Sequence, residues 1–410
     1  MSGRSRQPRA SERGRPTGVL IISRGDLFPP DHGAAVKIER TAWGLSHAVG
    51  TVALVTDDRR RYYLFEQGQM REQRYPRWLG LAAPPQSLVR AATERLGVPH
   101  EDAFLYFPWV DPSFSLRAAY VARRHPVDLF QAEFPAYARS CLQLRRWFGG
   151  RTLLVEHNVE YQRLADQPPG LTPRAFARLR RFEIELCRKV DAVVAVSERD
   201  RDRLAADGAD ASHIHVIPHG VDLERFDLAA PAPIRAELGL AADRPLLVYH
   251  GIYRYPPNRE AMEAMAREVL PRLHARGLRP LVLAVGRDPP AERLHPDLWF
   301  TGPVEHVAPY LLAADVAVVP LLHGGGTRMK VLDYFAARLP VVATSKGVEG
   351  IPIEHGVQAL IEDDWDRFAD AIAGLLADRG RAAALGAAGR AFADSLGWKA
   401  IAQRYLELFP

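Results

Sequence analysis

Cysteine is nearly absent. The chain has two in 410 residues, Cys141 and Cys187, too few for a disulfide scaffold or a cysteine zinc site. Each lies in a helix-like apolar pattern and reads as a core thiol, which fits a reducing, cytoplasmic setting. Long apolar runs are missing too. None approaches the roughly 18 residues that span a bilayer, and the longest, such as 193–196 and 316–322, are strand-sized. Basic residues at the N-terminus have no apolar segment behind them, so they do not read as a signal peptide. Lysine is scarce: five of the 54 cationic residues are lysine and the rest are arginine.

What is present is ordinary globular material. A hydrophobic fraction of 47% and a charged fraction of 25% exclude a disordered chain, and the length suggests two or three domains. The net charge of +5 is unevenly spread. Residues 1–225 hold 34 Lys+Arg against 27 Asp+Glu, and the remainder holds 20 against 22. A basic half suits phosphate or an anionic membrane surface. The excess is diffuse and no nucleic-acid-binding module is legible, so nucleic acid is not an expected partner.

Residues 1–16 are rich in Arg, Ser, Gly and Pro, and a disordered tail is expected there. Short apolar strands then alternate with amphipathic helices, the rhythm of a parallel α/β sheet. Strands are expected at 18–23, 51–55, 128–132, 152–155, 192–196 and 213–217, with helices at 34–48, 116–124, 136–148, 172–190 and 198–207. The stretch 59–112 mixes arginines, aromatics and prolines without a clean period, and reads as inserted helices and loops. A composition shift at 222–243 places a domain boundary at 225/226. The rhythm restarts with strands at 245–250, 280–285, 298–300, 316–319 and 340–343 and helices at 258–275, 304–313, 327–337, 365–378, 381–394 and 398–409. The expectation is two doubly wound domains, 17–225 with the C-terminal helix 396–410, and 226–395. Ligands of such sheets bind beyond the carboxyl ends of the strands, so two facing crevices would make an interdomain cleft.

The segment richest in chemistry runs from Pro320 to Asp333 and contains Gly324-Gly325-Gly326-Thr327-Arg328-Met329-Lys330. It follows an apolar strand and opens a helix. Three glycines let a backbone approach a ligand closely, and the amides of a helix N-terminus favour an anion. Arg328 and Lys330 sit where cations oppose the helix dipole, a small cost that points to phosphate.

With its flanks, this segment resembles the donor-binding region of the retaining glycosyltransferases of family 4, which have the GT-B fold. Those often read G-S-G-T-R-L-K-x-L-E-A-M-A-x-G-x-P-V-V-A-T, and residues 324–344 follow that pattern. Val216-Ile-Pro-His-Gly-Val-Asp222 resembles the family's I-P-N-G-V-D, and Glu156-His157-Asn158-Val159-Glu160 an E-H-N-x-E variant. Residues 194–198 resemble A-V-S-E, and Phe300-Thr-Gly-Pro-Val304-Glu the turn beside the nucleotide base. The likeness covers about 18–405.

The resemblance implies the following roles. Gly325, Gly326 and Thr327 would approach the donor diphosphate, Arg328 and Lys330 would stabilise its departing charge, and Asp333 would hold ribose hydroxyls. Asp333 stands where the family has the second of two glutamates, and the first falls on Gly325. The family's lysine after the first C-domain strand is missing, and Arg254 is the nearest cation there. Gly33 stands in the family's Gly-Gly turn, whose second glycine is Ala34. Lys37 lies one turn into the helix. Glu133, at a strand's carboxyl end where relatives often carry a histidine, is expected to meet the acceptor hydroxyl. His157 is expected to contact sugar or acceptor.

No alternating D-x-D pair appears, and no metal or cofactor is expected. Arg59-Arg-Arg61 beside Tyr62, Tyr63, Leu64 and Phe65 is a candidate for peripheral contact with an anionic leaflet. The reading is a cytoplasmic GT-B enzyme moving a hexose-type sugar from a nucleoside diphosphate to a hydroxyl acceptor. That acceptor would be a surface glycan, a lipid-linked intermediate or a small molecule. The alternatives are a nucleotide-sugar epimerase, an inactive nucleotide-sugar-binding protein and, more remotely, a dehydrogenase, against which the missing G-x-G-x-x-G counts.

Overall fold

Uninterrupted apolar runs of four to six residues are what strands covered on both faces require, and they form the centre of both sheets. The computed structural model describes residues 14–23, 25, 27–30, 33–81, 113–166, 170–324 and 328–410. It divides into two compact units, one up to Pro218 joined by Trp398–Pro410, the other His219–Gly397.

The first unit carries β1 (Gly18–Ile22), β2 (Thr51–Val55), β3 (Arg61–Glu66), β4 (Gln69–Arg74), β5 (Leu129–Glu133), β6 (Arg151–Glu156), β7 (Ala192–Ala195) and β8 (Ile214–Val216). They form one sheet in the order β4-β3-β2-β1-β5-β6-β7-β8, parallel except for β3 and β4. Its helices include α1 (Gly33–Leu45), α2 (Pro135–Phe148), α3 (Glu160–Asp166) and α4 (Pro173–Cys187). Cys141 and Cys187 are buried free thiols.

The second unit carries β9 (Leu246–His250), β10 (Leu281–Val285), β11 (Leu298–Phe300), β12 (Val316–Val319), β13 (Val341–Ala343) and β14 (Leu360–Ile361). The order β11-β10-β9-β12-β13-β14 is parallel throughout. Helix α5 (Met329–Ala336) follows β12. The helix expected at 258–275 is present, but Met265–Val269 is a π segment. Pro271, which lacks an amide hydrogen, sits two residues beyond it and accounts for the disturbed ladder.

Two expectations change. The stretch after 59 is not helix and loop alone: Arg61–Glu66 and Gln69–Arg74 form a hairpin that extends the sheet, and the short helix Arg77–Leu81 follows it. Its two-residue turn, Gln67 at φ 49° and Gly68 at φ 79°, is the left-handed pair that matches strand twist. Tyr62, Tyr63, Leu64 and Phe65 are buried in β3, so they offer no apolar face to a leaflet. The rest of that expected insertion, 82–112, lies outside the described residues, as does most of the expected tail.

The unit division precedes 225/226 because Leu223–Asp227 is already a helix of the second unit. Asp222 caps it, and Asp227 pairs with Arg390 at 2.6 Å. The last helix, α6 (Trp398–Glu407), returns to pack against α1 in the first unit.

Candidate active site

In the second unit the charged groups gather at the carboxyl ends of β9 and β12. Gly324 has φ +105°, and a Cβ there would stand 3.3 Å from Arg328, Pro257 and Tyr255 atoms, so a glycine is required. Arg328 is buried. Its guanidinium donates to the carbonyls of Gly324 (2.8 Å) and Lys346 (3.2 Å) and lies 3.8 Å from Glu349. It braces the glycine turn, a task the sequence did not reveal. Gly325, Gly326 and Thr327 lie outside the described residues.

Lys330, half-buried in the first turn of α5, donates to Tyr249 Oη at 2.5 Å and Asn258 Oδ1 at 2.8 Å. Asn258 is itself fixed, because its amide donates to the Ile252 carbonyl at 2.9 Å. Burial, and then the neighbouring Arg328, push the Lys330 amine well below its ordinary 10.5. Asp333, one turn on, faces His250 Nε2 at 3.3 Å. Burial pushes its carboxyl up to about 7, against the pull of Arg225 and Lys330. Burial, Lys330 and Arg225 press His250 down to about 3, so its ring is neutral.

The sign for Asp333 follows from linkage. A carboxyl raised from 3.8 to about 7 loses native stability as pH climbs through that window. Asp333→Asn is therefore expected to stabilise the ligand-free protein more at pH 8 than at pH 5. Thermal unfolding at both pH values checks this, and an equal effect at both contradicts it.

Two other expected donor contacts are less engaged. Arg254 is 82% exposed and, among the described residues, pairs with Asp288 at 3.8 Å. Val304 is half-buried in the irregular turn after β11, where Gly302 bridges Gly286.

In the first unit the site is more deeply built. Glu133 ends β5 at 0% exposure. Its Oε2 accepts from Lys37 Nζ at 2.8 Å and from His157 Nε2 at 2.6 Å, and its Oε1 accepts from Gln131 Nε2 at 2.5 Å. Burial alone would raise its carboxyl, but Lys37 and His157 outweigh that and hold it at about 2. Burial pulls the Lys37 amine down, but Glu133 and Tyr405 of α6 together raise it above 10.5. Phe134, at φ 81°, is a strained non-glycine residue of the kind that concentrates at functional sites. Its ring stacks on His157 at 4.3 Å and 16°.

This corrects the expectation for Glu133. A fully buried carboxylate with both oxygens engaged does not meet an acceptor hydroxyl; it orients His157 and Lys37. The sequence position of Lys37 assigns it no role. It lies on the buried face of α1 with Ile38, Thr41 and Leu45, and a lysine on such a face is almost never found without a partner. Gly33 opens α1 and is exposed.

The E-H-N-x-E residues divide by function. Glu156 and Glu183 are buried, and burial together with their neighbouring carboxylates raises both well above the ordinary range. Glu183 caps α3, accepting from the amides of Glu160 (2.9 Å) and Tyr161 (3.2 Å). Glu183 thereby fixes the start of the helix that follows the His157 loop.

Among the described residues, one group of three side chains is close enough to hold a metal: His274, His295 and Asp297. It lies at the amino ends of β10 and β11, the opposite end from Lys330. The Asp297 amide donates to His295 Nδ1 (3.0 Å), His274 Nε2 meets Asp297 Oδ2 (3.0 Å), and Arg244 donates to Oδ1 (2.7 Å). These contacts tie the three side chains to one another and to Arg244. Among the described residues no helix is long and apolar enough to cross a membrane.

Known families share this pattern. Residues 33–225 match the model "Glycosyltransferase Family 4", and residues 244–378 match "Glycosyl transferases group 1". The chain belongs to glycosyltransferase family 4. It is 28% identical over 283 residues to the D-inositol 3-phosphate glycosyltransferase of Xylanimonas cellulosilytica, a match covering 62% of this chain and 64% of that one. It is 29% identical over 332 residues to the GDP-mannose-dependent alpha-(1-6)-phosphatidylinositol monomannoside mannosyltransferase of Mycolicibacterium smegmatis, covering 71% and 84%. The chain spans 54–64% of the length of the first curated relatives it matches. The structure superposes on sucrose-phosphate synthase from Thermosynechococcus elongatus with a TM-score of 0.70 at 21% identity, over 96% of this chain and 98% of that one. The fold of this family-4 chain is thus GT-B, built from two Rossmann-like units.

Proposed function

We propose that this family-4 protein transfers a hexose-type sugar from a nucleoside diphosphate to a hydroxyl acceptor, with retention at the anomeric carbon. One observation carries the reading. Lys330, Arg328, Asp333 and His250 converge at the carboxyl ends of β9 and β12, beside a glycine turn whose Gly324 must be glycine. Such a place takes a diphosphate next to a ribose. Lys330 meets the leaving diphosphate as a point charge, and Arg328 holds the turn that receives it. Asp333 accepts from ribose hydroxyls. The residues present supply the countercharge, so the reaction needs no metal ion.

Relatives named for GDP-mannose and for inositol 3-phosphate make GDP-mannose a first donor to try and inositol phosphates, free or in lipid, the first acceptors. The test is incubation of the protein with GDP-mannose, UDP-glucose and UDP-N-acetylglucosamine and those acceptors, with excess EDTA in parallel. The expected outcome is nucleoside diphosphate release matched by a product whose anomeric configuration, read by proton NMR, equals the donor's. Lys330→Met is expected to abolish it. An inverted product contradicts retention, loss of turnover in EDTA contradicts metal independence, and tight donor binding without turnover favours a binding protein.

A further inference from the structure

We propose that Lys37 and Glu133 are positioning residues that lock the His157 ring as its Nε2–H tautomer, making Nδ1 the ring's acceptor atom. This rests on the transferase reading for its consequence, but not for its geometry. Glu133 is shut off from solvent, and an ionised carboxylate can only accept. The 2.6 Å contact to His157 Nε2 therefore requires the proton to sit on Nε2. The other ring nitrogen must then carry the lone pair.

Lys37 makes this arrangement workable. A lone buried carboxylate draws a positive charge onto a neighbouring imidazole, and the ring would then hold two N–H groups and no acceptor. Lys37 Nζ, 2.8 Å from the same oxygen, supplies the balancing charge instead. Gln131 occupies the second oxygen and stops the carboxylate from rotating. Phe134 fixes the ring plane by stacking. Lys37 is seated in turn by α6: its amine lies 5.6 Å from the Tyr405 ring centroid, within reach of that hydroxyl. Among the described residues, Cys141 on α2, whose thiol burial keeps protonated, and Arg404 beside Tyr405 also act on this cluster.

A histidine locked this way can accept a hydrogen bond from a sugar or acceptor hydroxyl and can take a proton from it, but cannot donate one through Nδ1. On the transferase reading the side chain facing substrate is His157, and Lys37 and Glu133 act through it.

The test has a spectroscopic and a kinetic part. Long-range proton–nitrogen NMR of the histidine rings in the whole protein, with the His157 signals assigned by comparison with His157→Asn, is expected to show the Nε2–H pattern at pH 7–9. In the paired variant Lys37→Met/Glu133→Leu, which removes both buried charges together, the ring is expected to show a mixture of tautomers. That variant is expected to bind GDP or UDP as the parent does, while kcat falls roughly 10²-fold with little change in donor KM. An Nδ1–H ring or an imidazolium in the parent protein overturns the proposal, as does parental kcat in the paired variant. Absence of turnover in the parent with every donor would count against the transferase reading instead, and the NMR result would still decide the lock.

Discussion

At pH 8.5, binding of GDP or UDP is expected to draw up to roughly one proton from solution, and the Lys330→Arg protein is expected to draw none. Lys330 rests against two neutral oxygens, Tyr249 Oη and Asn258 Oδ1, with Arg328 as its cationic neighbour. Burial and that neighbour hold its amine well below 10.5, and only Asp333 pulls the other way. An arriving diphosphate reverses the balance, because an adjacent negative charge favours the charged amine. Lysine can answer in this way and arginine cannot, since a guanidinium keeps its proton throughout. In a chain whose 54 cationic residues include five lysines, a lysine stands at this point and can couple binding to a proton.

The other ionisable groups do not obscure the result at that pH. The terminal phosphate, with a pKa of about 6, is already ionised. Asp333, at about 7, has largely lost its proton, and His250, at about 3, stays neutral. Affinity is thus expected to fall by up to about tenfold per pH unit above the amine's ligand-free pKa. Lys330→Arg is expected to remove that slope but keep binding. Lys330→Met is expected to weaken binding by at least about 30-fold, the effect of removing one member of a buried charge pair. Calorimetry in two buffers of different ionisation enthalpy measures the uptake. Nucleotide binding by the parent protein with no buffer dependence contradicts the assignment.

Glu133→Ala and Lys37→Ala are each expected to destabilise the first unit by about 3–5 kcal/mol, because each strands a buried charge. For a unit of this size the melting point falls by about 2–4 °C per kcal/mol, so a drop of roughly 6–20 °C is expected. The double replacement Lys37→Met/Glu133→Leu is expected to cost far less than the sum, since it leaves no unpaired charge. The pH dependence has a definite sign. Glu133, lowered from 4.5 to about 2, contributes stability that is present above 4.5 and lost as pH falls through about 2. Lys37, raised above 10.5, contributes stability that is lost as pH rises through that higher value. The deficit of Glu133→Ala should therefore be level between about pH 5 and pH 10 and shrink in acid. Additive melting shifts for the single and double variants contradict a coupled pair.

Periodicity exposed most of the scaffold because strands buried on both faces leave uninterrupted apolar runs, and 51–55 and 316–319 form strands with those bounds. It missed the β3–β4 hairpin. Gln69–Arg74 is an exposed edge strand with almost no apolar alternation, so only its partner and the Gln67-Gly68 turn betray it. The second-unit site was legible as a motif because glycines and cations fall within one short segment. Its tuning was not, because Tyr249, His250 and Asn258 reach Lys330 and Asp333 from about 70 to 85 residues away in sequence. The first-unit cluster was read as separate residues. Lys37, Glu133 and His157 come from α1, β5 and the end of β6, and only the parallel order β1-β5-β6 brings them together. The sequence puts Glu133 at the correct strand end but suggests an exposed role, since a pattern of residues does not distinguish a carboxylate that faces solvent from one that is covered.

The central claim is that the carboxyl ends of β9 and β12 bind a nucleoside diphosphate through Lys330. Thermal stability against GDP, UDP, ADP and dTDP, for the parent and Lys330→Met, tests it most directly. At about 100 times its dissociation constant a ligand adds roughly 2.7 kcal/mol. An upward shift is expected with the nucleotides of one base, cut to about a third or less in Lys330→Met. A folded parent protein that responds to none of them, or a Lys330→Met protein that responds equally well, would contradict it.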